Sequence, residues 1–220
     1  MPRALFEKTG DAVYISHLDL MRLFQRGFQR AGLPLTHTQG FNQRPSVSIA
    51  LPLSLGMSSQ CELLDFALAG ESVSNQEICQ RLNRSLVPGV RVKEVYDEGR
   101  KIKHLAFLRC QVMMEYDAGV PAGAVEAIDA LFRQEEVLVE KKSKNRGLIQ
   151  ENIIPMIQTL TLQKVSDQEL WLDALICCQN PTLNPMQLVA AIETYLPAWK
   201  PDFVRCHRVE IFDQEKTVFR

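Results

Sequence analysis

No stretch of this 220-residue chain comes near eighteen consecutive apolar residues, so no segment reads as a membrane-spanning helix. The opening residues, MPRALFEKTGDAVYIS, carry charges and no long apolar core. That is not the pattern of a secretory signal, and it leads to the expectation of a cytoplasmic protein. Net charge is also scarce: the formal total is −1 at pH 7. The chain as a whole is no polycation, and any nucleic-acid site has to be a local patch. Cysteines number six, at 61, 79, 110, 177, 178 and 206, and none forms a C-x-x-C pair. This spacing belongs neither to a zinc site nor to a disulfide framework. It also lacks the three-cysteine run that would hold a reactive iron–sulfur cluster. Reduced, mostly buried thiols are expected, and no metal or cofactor is called for by the residues themselves.

What is present is an ordinary globular composition, 46% hydrophobic and 23% charged, with enough length for one large domain or two small ones. Arg3 to Tyr14 reads as a strand bent at Gly10. From His17 to Ala31 the residues Leu20, Met21, Phe24, Phe28 and Ala31 recur at helical spacing. Ser16 stands at the N-cap, Asp19 completes a capping box, and Gly32 and Pro34 end the helix. Strands follow at Ser46–Leu51 and Glu62–Leu68. A helix is expected over Asn75–Leu86, with Ile78, Leu82 and Leu86 on one face, and a strand over Val90–Tyr96. The order β-α-β-β-α-β is that of the ferredoxin-like split motif.

A similar order recurs further on. Strands are expected at Phe107–Tyr116, Val137–Lys142, Ile157–Lys164, Leu170–Cys177 and Val204–Phe212. Helices are expected at Ala122–Arg133 and Asn184–Leu196, the latter with Pro185 at its first position. The expected class is therefore α+β, with two tandem ferredoxin-like halves at residues 1–98 and 104–220. Only the order of elements matches between the halves.

Arg22, Arg26 and Arg30 fall four apart on the first helix and so form one stripe, with Gln25 and Gln29 beside it. Between Ser16 and Val47 there are four arginines and one acid, Asp19. The loop that follows, HTQGFNQRP, adds His37, Gln39, Gly40, Phe41, Asn42 and Arg44. Cations that meet phosphates beside an aromatic that stacks on bases are the ingredients of single-strand RNA binding. The competing readings are a solvated helix face and a structural turn with a buried phenylalanine. A second basic cluster, KKSKNRG, supplies Lys141, Lys142, Lys144 and Arg146. It reads as a solvated loop or as an extension of the same positive surface. His17 sits in the first turn of the helix, where the positive helix end disfavours its protonated form. A neutral imidazole there is either a capping group or a proton acceptor.

The segments YISHLDLMRLFQRGFQRAGLPL and TQGFNQRPSVSIALPLSLGMSSQCELLDF carry a resemblance. They resemble a radical-SAM-linked bacterial family known mainly as a domain of unknown function. Tyr14, Ser16, His17, Leu18, Asp19, Met21 and Arg22 match its pattern. So do Gly40, Phe41, Asn42, Pro45, Pro52, Leu53, Gly56, Glu62 and Asp65. The match is dense over about residues 3–70 and faint beyond 100. Gln43 replaces a usual proline. The element after the lysine-rich segment survives only as ENIIP, with Pro155 kept.

Members of that family occur fused to, or encoded beside, a radical SAM protein with a cobalamin-type domain, and near ribosomal protein and ribonuclease genes. The resemblance thus implies an accessory partner of a radical SAM enzyme that acts near RNA. Three functions follow as expectations. One is an RNA-binding, substrate-presenting module without its own cluster. Another is a metal-independent endoribonuclease that uses His17, with His37 or a lysine of the second cluster stabilising charge. The last is a protein-binding scaffold in which Phe41 is an interface anchor.

Overall fold

A computed structural model of the chain describes residues 1–39, 41–70, 72–143 and 147–220, without the side chains of 142 and 143. The chain is α+β and divides into two compact units. The first holds Met1–His104 together with Val218–Arg220, and the second holds Leu105–Thr217.

The first unit runs β1 (Arg3–Lys8), α1 (His17–Arg30), β2 (Val47–Ala50), β3 (Ser58–Phe66), α2 (Asn75–Ser85) and β4 (Val90–Tyr96). Its strands pair antiparallel, β4 on β1, β1 on β3 and β3 on β2. Alternation does the sorting. Ala4 and Phe6 of β1, with Leu64 and Phe66 of β3, turn to one face and are sealed from solvent. Helix α1 covers them with Leu20, Phe24 and Phe28, one stripe at helical spacing. Phe6 meets Phe24 edge-on at 4.8 Å between centroids, and Phe28 meets Phe66 at 4.9 Å. Gly27 lets α1 close on α2, because a β-carbon there would stand 3.2 Å from a Leu86 methyl.

The expected strand from Arg3 to Tyr14 stops at Lys8. Gly10, at φ +54°, turns the chain into a 3-10 turn over Gly10–Tyr14. The reason is the buried Lys8 ammonium, which donates to the carbonyls of Val13 at 3.1 Å and Ile15 at 2.8 Å and curls the segment back. A lysine at the end of an alternating strand gives no sign of this in the sequence.

The C-terminal tripeptide belongs to the first unit rather than to the half that precedes it in sequence. Phe219 is fully buried, with the guanidinium carbons of Arg3 and Arg100 5.8 Å and 4.8 Å from its ring centre. The Arg100 amide donates to Arg220 O at 3.0 Å.

The second unit runs β5 (Leu105–Glu115), α3 (Ala124–Phe132), β6 (Leu138–Ser143), β7 (Gly147–Asn152), β8 (Ile157–Lys164), β9 (Glu169–Cys177), α4 (Pro185–Tyr195) and β10 (Phe203–Asp213). Its main sheet has the antiparallel order β10-β5-β9-β8. Cys110, Val112 and Met114 of β5 and Leu172, Ala174 and Ile176 of β9 form its buried face. Helix α4 opens with the expected Asn184 cap and Pro185, and Asn184 and Gln187 complete a capping box.

Strand β6 does not join the main sheet. It pairs with β7, which the sequence pattern misses, in a separate hairpin. The lysine-rich segment therefore starts as strand, with Lys141 and Lys142 in β6. Tyr195 of α4 fastens this hairpin by accepting from the Leu138 amide at 3.0 Å and donating to the Leu138 carbonyl at 3.2 Å.

Candidate nucleic-acid interface

Helix α1 begins at Ser16, whose hydroxyl oxygen accepts from the Asp19 amide at 3.2 Å. The Asp19 carboxylate accepts the Ser16 hydroxyl proton at 2.7 Å and a proton from Arg22 at 2.9 Å. Those bonds, Ser16 first and Arg22 second, hold the Asp19 carboxyl below its ordinary range. The helix ends in a Schellman turn: Gly32 at φ +66°, with its amide on Gln29 O at 3.2 Å and the Leu33 amide on Phe28 O at 2.9 Å. The chain leaves this turn extended. The Thr36 amide donates to Ala67 O at 2.9 Å, and the Ala69 amide donates to Pro34 O at 2.7 Å.

The loop after it is a hairpin tip. His37 and Pro45 face each other across its base as an antiparallel bridge. The Ser46 amide donates to Thr36 O and the Thr38 amide to Arg44 O, both at 2.8 Å, and the Arg44 amide donates to Thr38 Oγ1 at 3.1 Å. The tip is thereby fixed at its root while Gln39, Phe41, Asn42 and Gln43 stand in solvent. Phe41 is 105% exposed, which removes the reading of this loop as a turn around a buried phenylalanine. Gly40 lies outside the described residues.

A cleft of about 570 Å³ opens between the C-terminal half of α1 and the base of this loop. Gln25, Arg26 and Gln29 form one wall, His37 and Pro45 the other, and Leu33 lies at the bottom. Among the described residues, no carboxylate lines it. The three arginines of the stripe have separate fates. Arg22 is spent on Asp19, exposed at both ends. Arg30 donates to the Ser85 carbonyl at the end of α2. Arg26 points into the cleft and has no ion-pair or hydrogen-bond partner for its side chain among the described residues.

His17 and His37 are not brought together. His17 heads α1, whereas His37 lines the cleft beside Gln29, and twelve residues of helix rise about 18 Å. Lys141 of the second cluster is engaged as well, with Glu151 at 2.7 Å and the Thr182 carbonyl at 3.0 Å. Lys142 lies in β6, and Lys144 and Arg146 lie outside the described residues.

Two matched acids prove to be parts of the frame. Asp65 accepts a fork from the buried Arg3, at 2.6 Å and 3.1 Å, and Arg3 also donates to Arg100 O at 2.9 Å. Glu62 is buried near Lys8. The sequence pattern also misses the cleft's apolar side, Leu33 to Leu35. The signal for it is a helix-stopping glycine followed at once by three apolar residues.

Among the described residues, no three histidines, cysteines, aspartates or glutamates converge as a metal-holding group. No helix among them is long and apolar enough to cross a membrane.

The chain belongs to the family DUF2344, described as an uncharacterized protein conserved in bacteria, which matches residues 2–185. No curated protein matches it. Among solved structures it is similar to a chain from a Cbf5-Nop10-Gar1 complex, at 9% identity and a TM-score of 0.51. That alignment covers 96% of this chain and 48% of the other, so this chain spans about half its length. It is aligned also with an unknown protein from Galdieria sulphuraria, at 10% identity and a TM-score of 0.27, over 94% of this chain and 96% of that one. Likeness at such identity bears on fold alone.

Proposed function

We propose that the chain is an accessory module that binds single-stranded RNA and presents it to a partner radical SAM enzyme. We also read its two units as tandem ferredoxin-like halves, the second interrupted by the β6–β7 hairpin. The β4-β1-β3-β2 and β10-β5-β9-β8 orders support that reading.

One observation carries the RNA reading: a fully exposed phenylalanine on a hairpin tip pinned at its root, beside a cleft that holds Arg26 and, among the described residues, neither a carboxylate nor a partner for that arginine. A pinned tip keeps the ordering cost low when a base stacks on Phe41. Gln39 and Asn42 flank that ring with groups that bond base edges. Arg26 and Arg44 meet phosphates, while Arg22 and Arg30 contribute charge at longer range. The radical SAM partner is inferred from the sequence resemblance.

The ribonuclease reading loses one of its two arrangements, because His37 lies too far along α1 from His17 to stabilise charge beside it, and it is left with His17 and a lysine of the second cluster. The scaffold reading has one observation in its favour. Tyr14, Leu18 and Leu55 are exposed, and the Gly56 amide on Val13 O at 2.9 Å draws their segments together at the start of α1. In the present account that end of the module faces the protein partner.

The test is fluorescence anisotropy of a labelled single-stranded RNA over a range of salt. Replacing Arg26 and Arg44 by alanine is expected to weaken binding for all sequences and to flatten the log–log salt slope by about 1 per arginine. Unchanged affinity and slope would refute the assignment.

A further inference from the structure

The cleft has an apolar bottom that phosphate contacts leave unused. Phe28, Leu33 and Leu35 reach it from one side, and Gln25 and Gln29 stand over it as amides on successive turns of α1. Its volume of about 570 Å³ is enough to hold a small ligand. Arg26 meets no acid among the described residues, so charge complementarity calls for an anion. A bare inorganic anion would leave the apolar bottom unfilled and the amides unused. A flat group with alternating donors and acceptors, joined to a phosphate, engages all three.

Three other clefts among the described residues are each lined by a carboxylate, which repels phosphate: Glu77 in the one on α2, Glu7 in the one between the end of α2 and β4, and Glu115, Asp117 and Glu169 in the one of the second unit.

The geometry points to a nucleotide pocket: the cleft takes one unstacked nucleotide of a single-stranded RNA. Its base lies over Leu33 and Leu35, with its edge at the Gln25 and Gln29 amides and its phosphate at Arg26. The next base along stacks on Phe41. This deepens the RNA reading and rests on it. Phe41 alone stacks on any base. The amide-walled pocket is where the module distinguishes one base from another.

Two measurements test it. The full chain is titrated with each common nucleoside 5′-monophosphate, and separately with inorganic phosphate, while its amide NMR signals are followed. Gln25, Gln29, Leu35 and His37 are expected to shift with the nucleotides, unequally among bases, and not with phosphate alone. The variant Gln29→Leu, at an exposed helix position, keeps the bulk, removes one of the two amides and is expected to bind a short single-stranded RNA about tenfold more weakly.

If the wild type binds RNA while nucleotides shift none of these signals, or Gln29→Leu binds normally, the pocket is refuted and the RNA reading stands. If the wild type binds no RNA, both fall.

Discussion

Lys8 and Ile15 are joined by a 2.8 Å hydrogen bond from a buried ammonium to a backbone carbonyl, immediately before the helix that carries the candidate site. The same ammonium holds the Val13 carbonyl, and Glu62 supplies the opposite charge. Burial lowers the Lys8 pKa, and the Glu62 charge works against that shift. Replacing Lys8 by methionine keeps the bulk but leaves the Val13 and Ile15 carbonyls without their donor and removes the positive charge near Glu62. The expected loss is about 3 kcal/mol in urea unfolding, as for buried polar groups left without their hydrogen bonds. Loss of under 0.5 kcal/mol would show that the 3-10 turn holds itself.

Arg3 and Asp65 form the second buried tie of the first unit. Asp65→Ala leaves a guanidinium that is 4% exposed without its carboxylate, and about 3–5 kcal/mol should be lost. The Phe219 tail, stacked on that guanidinium, is expected to become open to carboxypeptidase. The exposed Arg22–Asp19 pair is the internal control. Arg22→Ala should change stability by less than about 1 kcal/mol, because solvent screens both charges.

Tyr116 supplies a pH dependence. Burial, with the Asp202 charge adding to it, pushes its hydroxyl up from 10.0 to about 12. It donates to Trp199 O at 3.0 Å. The folded state therefore keeps this proton after the unfolded chain has lost it. The stabilisation is complete below pH 10 and disappears as pH rises through about 12. The Cys178 and Cys206 thiols, also pushed up to about 12, titrate in the same window, so the comparison is with Tyr116→Phe. The difference between the two proteins' stabilities should shrink between about pH 9.5 and about pH 12. A difference that stays constant would mean the hydroxyl is solvated.

Much of this architecture is legible in the sequence because its elements are strongly periodic. Leu20, Phe24 and Phe28 announce α1, Ser16 and Gly32 mark its ends, and Asn184 with Pro185 opens α4. The losses have physical causes. Lys8 looks like a strand residue because its partners are backbone carbonyls, which leave no trace in side-chain pattern. Strand β7 escapes because Gly147–Asn152 is mostly exposed or half-buried, so it has little apolar alternation to show. At the site, the arginine spacing on α1 was readable, but which arginine stays unpaired was not. That depends on Asp19 one turn before Arg22 and on the end of α2 meeting Arg30. The exposure of Phe41 was equally hidden, since an aromatic in a loop serves a core as readily as a ligand.

Partner choice gives another prediction. Co-purification with the proposed radical SAM partner should survive Phe41→Ala and fail on Leu18→Asp, which places a charge on the exposed start of α1. The reverse pattern would make Phe41 the protein anchor and remove its role in stacking.

The most direct test is to pass cellular RNA over the purified protein at low and high salt, sequence what is retained, and repeat with Phe41→Ala. A defined set of RNAs is expected, held less tightly at high salt, recovered with their ends intact, and largely lost in the variant. No retained RNA, or equal retention by Phe41→Ala, would overturn the RNA-presenting role.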